Sequence, residues 1–178
     1  MDPDAYLCQL ADIFNGITVH APSISAIIAI VLAGVLLLAS GFASASEIAF
    51  FSLSPSDLSA IEEGKHPSDE KIRNLLDDTE RLLATILITN NFVNVTIIML
   101  CNFFFMNVFL FHSAIAEFLI LTVVLTFLLL LFGEIMPKIY SAQKTLAFCR
   151  FAAPRYYGMP FCFLSVVIVI GTFHFVSQ

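Results

Sequence analysis

The chain has 178 residues, of which 59% are hydrophobic and 12% are charged, whereas a soluble domain has about 25% charged residues. The formal net charge of −6 and the sparse basic residues argue against a phosphate-binding surface, so no nucleic-acid partner is expected. Uncharged runs of roughly 20 residues are long enough to cross the core of a bilayer, and they predict an all-α membrane protein.

The positions of lysine and arginine predict how the chain crosses the membrane. Four of the eight basic residues lie between 53 and 81, and the other four lie between 138 and 155. The first 64 residues and the loop at 106–114 contain none. Because short loops rich in Lys and Arg stay in the cytoplasm, the pattern predicts three crossings with the N-terminus outside. A multi-pass protein of the inner (cytoplasmic) membrane is expected, with the lipid bilayer as its surroundings.

One membrane domain is predicted. Residues 1–22 form an outer N-terminal segment, and residues 23–178 form the domain itself. The apolar runs place its three spans at about 24–43, 82–106 and 114–136.

Short polar helices are predicted between the first two spans. The sequence Ser54-Pro55-Ser56-Asp57 is typical of an N-cap followed by proline in the first turn, and it predicts a helix to Glu63. A second, charged helix is expected from about Pro67 to Asp77. After the third span, a belt or interfacial helix is predicted at about 142–176, because the apolar run at 159–175 is short for a span. A fourth span over that run is the alternative.

Polar residues inside or beside the spans are the candidate functional residues, because such groups are costly in a bilayer. Ser40 and Ser44 lie four residues apart and share one helix face, as do Asn90 and Asn94. The clusters are Ser40, Ser44, Ser46 and Glu47 in the first span, Asn90, Asn91 and Asn94 in the second, and Gly133, Glu134 and Pro137 at the inner end of the third.

Pro137 predicts a break in the third span. In an α-helix the N–H of residue 137 would bond the carbonyl of Gly133, but proline has no N–H and its ring crowds that carbonyl. An unpaired carbonyl at membrane depth is tolerated only against protein or a polar cavity. The Gly133 carbonyl, the Glu134 carboxylate, the asparagine amides and the serine hydroxyls together form a set of ligands that are all oxygens. Such a set suits a hard cation such as Mg²⁺. The clusters contain no His or Cys, which argues against zinc, copper or iron.

Each cluster also has a purely structural interpretation. Serines can bond back to a carbonyl of their own helix, and asparagines can hold helices together. Glu134 can pair with Lys138 one turn further on, and Glu47 can brace the cytoplasmic loops, so Glu47 is assigned a secondary electrostatic role. No nucleophile–base pair or glycine-rich phosphate loop is evident, and an enzyme is not expected. Together, the three clusters favour one cation site.

Three stretches resemble the signature sequences of the DUF21 transmembrane domain of the CNNM/CorC family. They are 44–54, 82–94 and 133–138, and they follow one another in the family's order and at its usual separations. The likeness runs from about residue 24 to the end. Residues 1–22 and the style of the motifs resemble CorC-like members associated with gliding motility. One departure is Thr89, where many relatives have Gly.

The resemblance implies an architecture. It consists of three transmembrane helices with broken segments, short cytoplasmic helices and a juxtamembrane belt helix, assembled as a homodimer. It also implies an ion site formed by Ser40 and Ser44, by Asn90, Asn91 and Asn94, and by the break from Gly133 to Pro137. Relatives usually continue into cytoplasmic CBS domains, which this chain lacks before Gln178, so it is expected to be the membrane domain of a longer protein.

The leading functional hypothesis is export of Mg²⁺ by alternating access, coupled to Na⁺ influx as the resemblance implies. A membrane scaffold or interaction module of a motility or secretion machinery, in which the polar clusters only lock the helices, is the alternative. A magnesium channel is a third hypothesis.

Overall fold

Long apolar helices dominate the part of the chain that the computed structural model describes, namely residues 17–111, 117–158 and 171. Three of these helices are long and apolar enough to cross a membrane, which confirms the predicted all-α membrane fold. In chain order the elements are strand β1 (Ile17–Val19), helices α1 (Ile24–Phe51), α2 (Pro55–Glu62), α3 (Asp69–Asp77) and α4 (Thr79–Val108), strand β2 (Phe109–Phe111), a π-helical turn (Leu119–Val124), α5 (Leu125–Leu130), a second π-helical turn (Leu131–Ile135), α6 (Met136–Gln143) and α7 (Thr145–Gly158).

The helices extend further than the predicted spans. Helix α1 continues past residue 43 to Phe51, and the third membrane helix is continuous over Leu121–Gln143. Helix α7 covers the first part of the belt predicted at 142–176. The remainder of that belt, the beginning of the predicted third span at 114 and residues 1–16 lie outside the described residues.

A small antiparallel sheet ties the N-terminal segment to the end of α4. Strand β1 pairs with β2, with Thr18 opposite Leu110, and the His20 N–H donates to the Val108 carbonyl at 2.8 Å. The sequence analysis did not predict these strands, because runs of three residues carry no periodicity signal. The pairing brings residues 17–20 and 109–111 to one end of the molecule, as expected if both lie on the same side of the membrane.

Two apolar cores lie along α1, and a polar layer separates them. The outer core packs α1 against α4 and α5 around Ala33, Val93 and Leu129. The inner core packs α1 against the short helices and α7 around Phe50, Ile72 and Cys149. The buried α1 residues between the two cores are small, and they are Ser40, Gly41, Ala43, Ser44, Ala45 and Ser46. Small side chains at this level let the neighbouring helices approach closely.

Caps define the short inner helices. Ser54 and Asp57 form the predicted capping box, since the Ser54 hydroxyl accepts from the Asp57 N–H at 3.2 Å and the Asp57 carboxylate accepts from the Ser54 N–H at 3.0 Å. The same box lowers the pKa of Asp57, mainly through the hydrogen bond from the Ser54 hydroxyl. Proline at the first position of α2 adds to this signal, which explains why the start of α2 was predictable from sequence.

A buried ion pair fixes α7 to α3. The Asp69 carboxylate has no exposed side-chain surface, and Arg150 donates to its two oxygens at 2.8 and 3.0 Å. The His66 N–H also donates to Asp69, at 2.9 Å. Because the fork of an arginine matches a carboxylate in geometry, this contact sets both the distance and the orientation of α7 relative to the inner helices.

Candidate functional site

Three side chains from α1 and α4 meet in the polar layer. The Ser40 hydroxyl lies 2.8 Å from the amide oxygen of Asn90 and 2.6 Å from that of Asn94, and it donates to both. Ser40 is fully buried, and only 7% of Asn90 is exposed. A hydroxyl has one proton, so two amide oxygens share a single donor. The meeting point therefore holds more oxygen lone pairs than its own proton can satisfy.

The third membrane helix adds a carboxylate to this point. The Asn94 side-chain N–H donates to the Glu134 carboxylate at 3.2 Å. The amide of Asn94 thus faces Ser40 with its oxygen and Glu134 with its nitrogen. We call Ser40, Asn90, Asn94 and Glu134 the oxygen cluster. It is built from all three membrane helices, which the sequence analysis predicted from the polar residues alone.

Glycine and proline allow the third helix to lie this close to α1. A Cβ on Gly133 would come 3.4 Å from the Ser40 hydroxyl and 3.3 Å from a methyl group of Leu37. A Cβ on Gly41 would come 3.0 Å from the ring of Pro137. A Cβ at Gly41 would require the Pro137 ring to shift, and one at Gly133 would require Leu37 or Ser40 to shift by a few tenths of an ångström. Both glycines therefore favour the close approach of the two helices. Gly133 was selected from the sequence for its carbonyl, whereas Gly41 was not predicted.

The helix break at Pro137 has a different form from the one predicted. The chain forms a π-helical turn over Leu131–Ile135, and the Met136 N–H donates to the Leu131 carbonyl. Pro137 then falls in the first turn of α6, where a missing N–H costs little. Widening the helix by one residue per turn accommodates the proline and turns Glu134 and Gly133 toward α1. An unpaired Gly133 carbonyl stays a prediction.

Ser44 and Thr89 are buried hydroxyls that have no hydrogen-bond partner among the described residues. Other hydroxyls on the same helices bond back to their own backbone, as Ser46 does to Phe42 and Thr96 to Phe92. Ser44 lies one turn inward of Ser40, and Thr89 directly precedes Asn90. The sequence analysis proposed Ser44 as a ligand but noted Thr89 only as a departure from glycine. Its place on the buried face of α4 was the signal that was missed.

Asn91 is a predicted ligand whose side chain the structure places away from the oxygen cluster. Its side chain is exposed, because adjacent residues of an α-helix point about 100° apart and Asn90 occupies the inward direction. The three asparagines therefore lie on two faces of α4: Asn90 and Asn94 face α1, and Asn91 lies on an exposed face.

Glu47 forms an ion pair with Lys138 at the inner end of the site. The two charged groups are 3.0 Å apart, and 30% and 33% of their side chains, respectively, are exposed. The sequence analysis had considered Lys138 as a partner of Glu134, but the ion pair described for Lys138 is with Glu47. A charged pair therefore lies between the buried hydroxyl of Ser44 and the short helices α2 and α3.

Comparison with known proteins identifies the family. No curated protein matches the chain. The family model described as the cyclin M transmembrane N-terminal domain, CNNM, matches residues 28–175. This range contains all three signature stretches and the whole oxygen cluster. Because the match covers most of the chain, the protein belongs to the CNNM family.

Proposed function

We propose that this domain exports Mg²⁺ across the membrane by alternating access, coupled to the influx of Na⁺. Membership of the CNNM family is consistent with a role in membrane Mg²⁺ transport. We add to this role a direction of transport, a coupling ion and a set of binding residues. The observation that carries it is the convergence of Ser40, Asn90 and Asn94 on one buried point.

The spacing of these oxygens supports Mg²⁺ as the transported ion. With Mg–O bonds of about 2.1 Å, neighbouring oxygens of an octahedral complex lie about 3.0 Å apart. The Ser40 oxygen lies 2.8 and 2.6 Å from the amide oxygens of Asn90 and Asn94. Shifts of a few tenths of an ångström would convert these hydrogen-bonded edges into edges of a coordination octahedron. Ca²⁺ bonds of 2.3–2.6 Å need wider spacing.

The charge of the oxygen cluster supports transport rather than permanent binding. Glu134 is its only carboxylate, so the protein neutralises half of the charge of a divalent ion. Neutral amide and hydroxyl oxygens complete the set, and remaining positions can keep water, which Mg²⁺ gives up reluctantly. An ion held this way binds strongly enough to enter and weakly enough to leave.

Polar groups along the inward side of the cluster supply a route. Ser44 and Thr89 offer hydroxyl oxygens that no described residue occupies, and Glu47 lies at the inner boundary in contact with Lys138. We assign Glu47 the role of attracting a divalent ion from the cytoplasm. In the absence of that ion the Lys138 ammonium takes its place beside the carboxylate.

Flux measurements in proteoliposomes test the proposal. Mg²⁺ efflux should require an opposing Na⁺ gradient and should be lost in Asn94→Ala. Asn107→Ala is the matched control, because Asn107 lies on the same helix and, among the described residues, donates to the Phe103 carbonyl of that helix. Absence of flux in the native domain would favour the scaffold alternative, and current without Na⁺ dependence would favour a channel.

We further propose a homodimer in the inner membrane with the N-terminus outside, attached to cytoplasmic CBS domains in the full protein. The exposed amide of Asn91 in mid-helix supports the dimer, since a polar side chain in a bilayer gains from a partner helix. Cross-linking of an Asn91→Cys variant in native membranes should give a dimer, and a strictly monomeric product would contradict this arrangement.

A further inference from the structure

An apolar pocket of about 390 Å³ lies between α1, the third membrane helix and α7, apart from the oxygen cluster. Its volume is within the roughly 300–1,000 Å³ typical of ligand pockets. Every lining residue except Tyr140 is apolar, and the walls include Leu38, Ala45, Phe132 and Phe148. A pocket of this composition suits a hydrocarbon chain rather than a polar metabolite.

In the membrane orientation proposed above, the pocket lies at the inner boundary of the bilayer. Its third-helix wall ends at Tyr140, which is 61% exposed and follows Lys138 by two residues. Tyrosines are enriched at the level where the hydrocarbon core meets the headgroups. The pocket therefore extends from headgroup depth into the inner leaflet.

Arg155 provides a positive charge at this boundary. Its guanidinium lies 3.9 Å from the centroid of the Phe151 ring and 5.8 Å from that of Phe42, which lines the pocket. A hydrogen bond to the Phe151 carbonyl at 2.8 Å holds it in place. Arg150, on the same helix, is paired with Asp69, but no carboxylate among the described residues pairs with Arg155.

We propose that this pocket binds an anionic phospholipid of the inner leaflet, with an acyl chain between α1 and the third membrane helix and its phosphate on Arg155. Arginine is suited to this role, because its planar fork matches phosphate and stacks on aromatic rings. Charge complementarity thus selects an anionic lipid over a neutral one, and the apolar walls select a lipid over free phosphate. The acyl chain would lie against Gly41 and Pro137, which are in contact beside the oxygen cluster.

Lipid retention during purification tests the headgroup contact. The domain is exchanged into micelles containing equal amounts of phosphatidylglycerol and phosphatidylcholine, and the bound lipids are counted by native mass spectrometry. The native protein should retain phosphatidylglycerol preferentially, and Arg155→Gln should reduce that preference about tenfold, the loss expected for a charged hydrogen bond. Lys144→Gln is the matched control, since Lys144 is an exposed cation directly before α7 and lies outside the pocket.

A second pair of variants tests the pocket itself. Ala45→Leu fills it from the buried side and should reduce retention of both lipids. Leu38→Trp narrows the pocket from the exposed side, and it replaces Ala45→Leu as the test variant if Ala45→Leu does not fold. Equal retention of the two lipids by the native protein, or an unchanged preference in Arg155→Gln, overturns the headgroup assignment. Full retention in a folded pocket-filling variant overturns the pocket, and would leave the lipid elsewhere on the surface.

Discussion

The side-chain N–H of Asn94 donates to the Glu134 carboxylate at 3.2 Å, so the second and third membrane helices meet at the same residue whose oxygen contacts Ser40. A single amide therefore joins three helices. Its oxygen is directed at the proposed ion position and its nitrogen fixes the only carboxylate of the oxygen cluster. No other described side chain links α1, α4 and the third helix in this way.

Removing this amide should abolish Mg²⁺ binding. Asn94→Ala deletes one ligand oxygen and releases Glu134. A ligand at 100 times its Kd stabilises a protein by about 2.7 kcal/mol, which is a measurable increase in the melting temperature of the detergent-solubilised domain. We expect that increase to vanish in Asn94→Ala and to persist in Asn107→Ala. An undiminished Mg²⁺ response in Asn94→Ala would remove the assigned site.

Ser44 and Ser46 should respond in opposite ways to the same substitution. Ser44 is buried without a described hydrogen-bond partner, so Ser44→Ala removes an unsatisfied hydroxyl and should leave the ion-free domain equally stable or up to about 1 kcal/mol more stable. If the Ser44 hydroxyl is an ion ligand, as the sequence predicts, Ser44→Ala should nevertheless abolish the Mg²⁺-dependent increase in melting temperature. Ser46→Ala breaks a hydrogen bond to Phe42 and should cost about 1 kcal/mol while keeping the Mg²⁺ response. The opposite pattern, with Mg²⁺ sensitivity at Ser46 alone, would contradict the proposed route.

Most of the architecture was predictable because hydrophobic length and charge position are properties of single segments. The run from Ile24 onward must cross a bilayer whatever it packs against, and the Ser54–Asp57 box is complete within four residues. Deciding which of Asn90, Asn91 and Asn94 belong to the oxygen cluster requires knowing which face of α4 meets α1. Sequence spacing puts Asn90 and Asn94 together without deciding whether Asn91 joins them.

Features that depend on two distant segments were not predictable. The pairing of Glu47 with Lys138 and the contact of Gly41 with Pro137 both arise from the position of the third helix against α1. The π-helical turn over Leu131–Ile135 was missed for a related reason. A glycine followed four residues later by a proline predicts a kinked α-helix as readily as a π-helical turn, so the sequence does not distinguish the two.

Pro137→Ala should weaken ion binding by allowing the third helix to return to α-helical hydrogen bonding. The new N–H can bond the Gly133 carbonyl, and closing the π-helical turn would rotate Glu134 away from Asn94. We expect at least a severalfold higher Kd for Mg²⁺ by titration, with the fold retained. Pro55→Ala is the control, because that proline begins the short helix α2, away from the oxygen cluster. Equal affinity in the native domain and Pro137→Ala would show that the helix break does not position the ligands.

The ion pair between Asp69 and Arg150 should make stability dependent on pH at the acidic end. Hydrogen bonds from the Arg150 side chain are the largest cause of a lowered Asp69 pKa. A lowered pKa in the folded state means that the charged pair contributes fully above the unfolded value of 3.8, and that the contribution is lost as pH falls through the folded value. Acid should therefore weaken the contact between α7 and α3.

Asp69→Asn tests this dependence. At pH 7 it should lower the free energy of unfolding by about 2 kcal/mol, less than for a fully enclosed pair because 26% of the Arg150 side chain is exposed. The difference between the native protein and Asp69→Asn should shrink as the pH falls from 3.8 through the lower folded-state pKa of Asp69, below which the residue-69 side chain is uncharged in both proteins. Glu63→Gln is the control, because Glu63 and its partner Lys65 are both more than half exposed and such surface pairs contribute little. Denaturant titrations of the three proteins at neutral and acidic pH measure the effect. A gap between the native protein and Asp69→Asn that stays constant across this range would mean that packing, rather than charge, holds α7 in place.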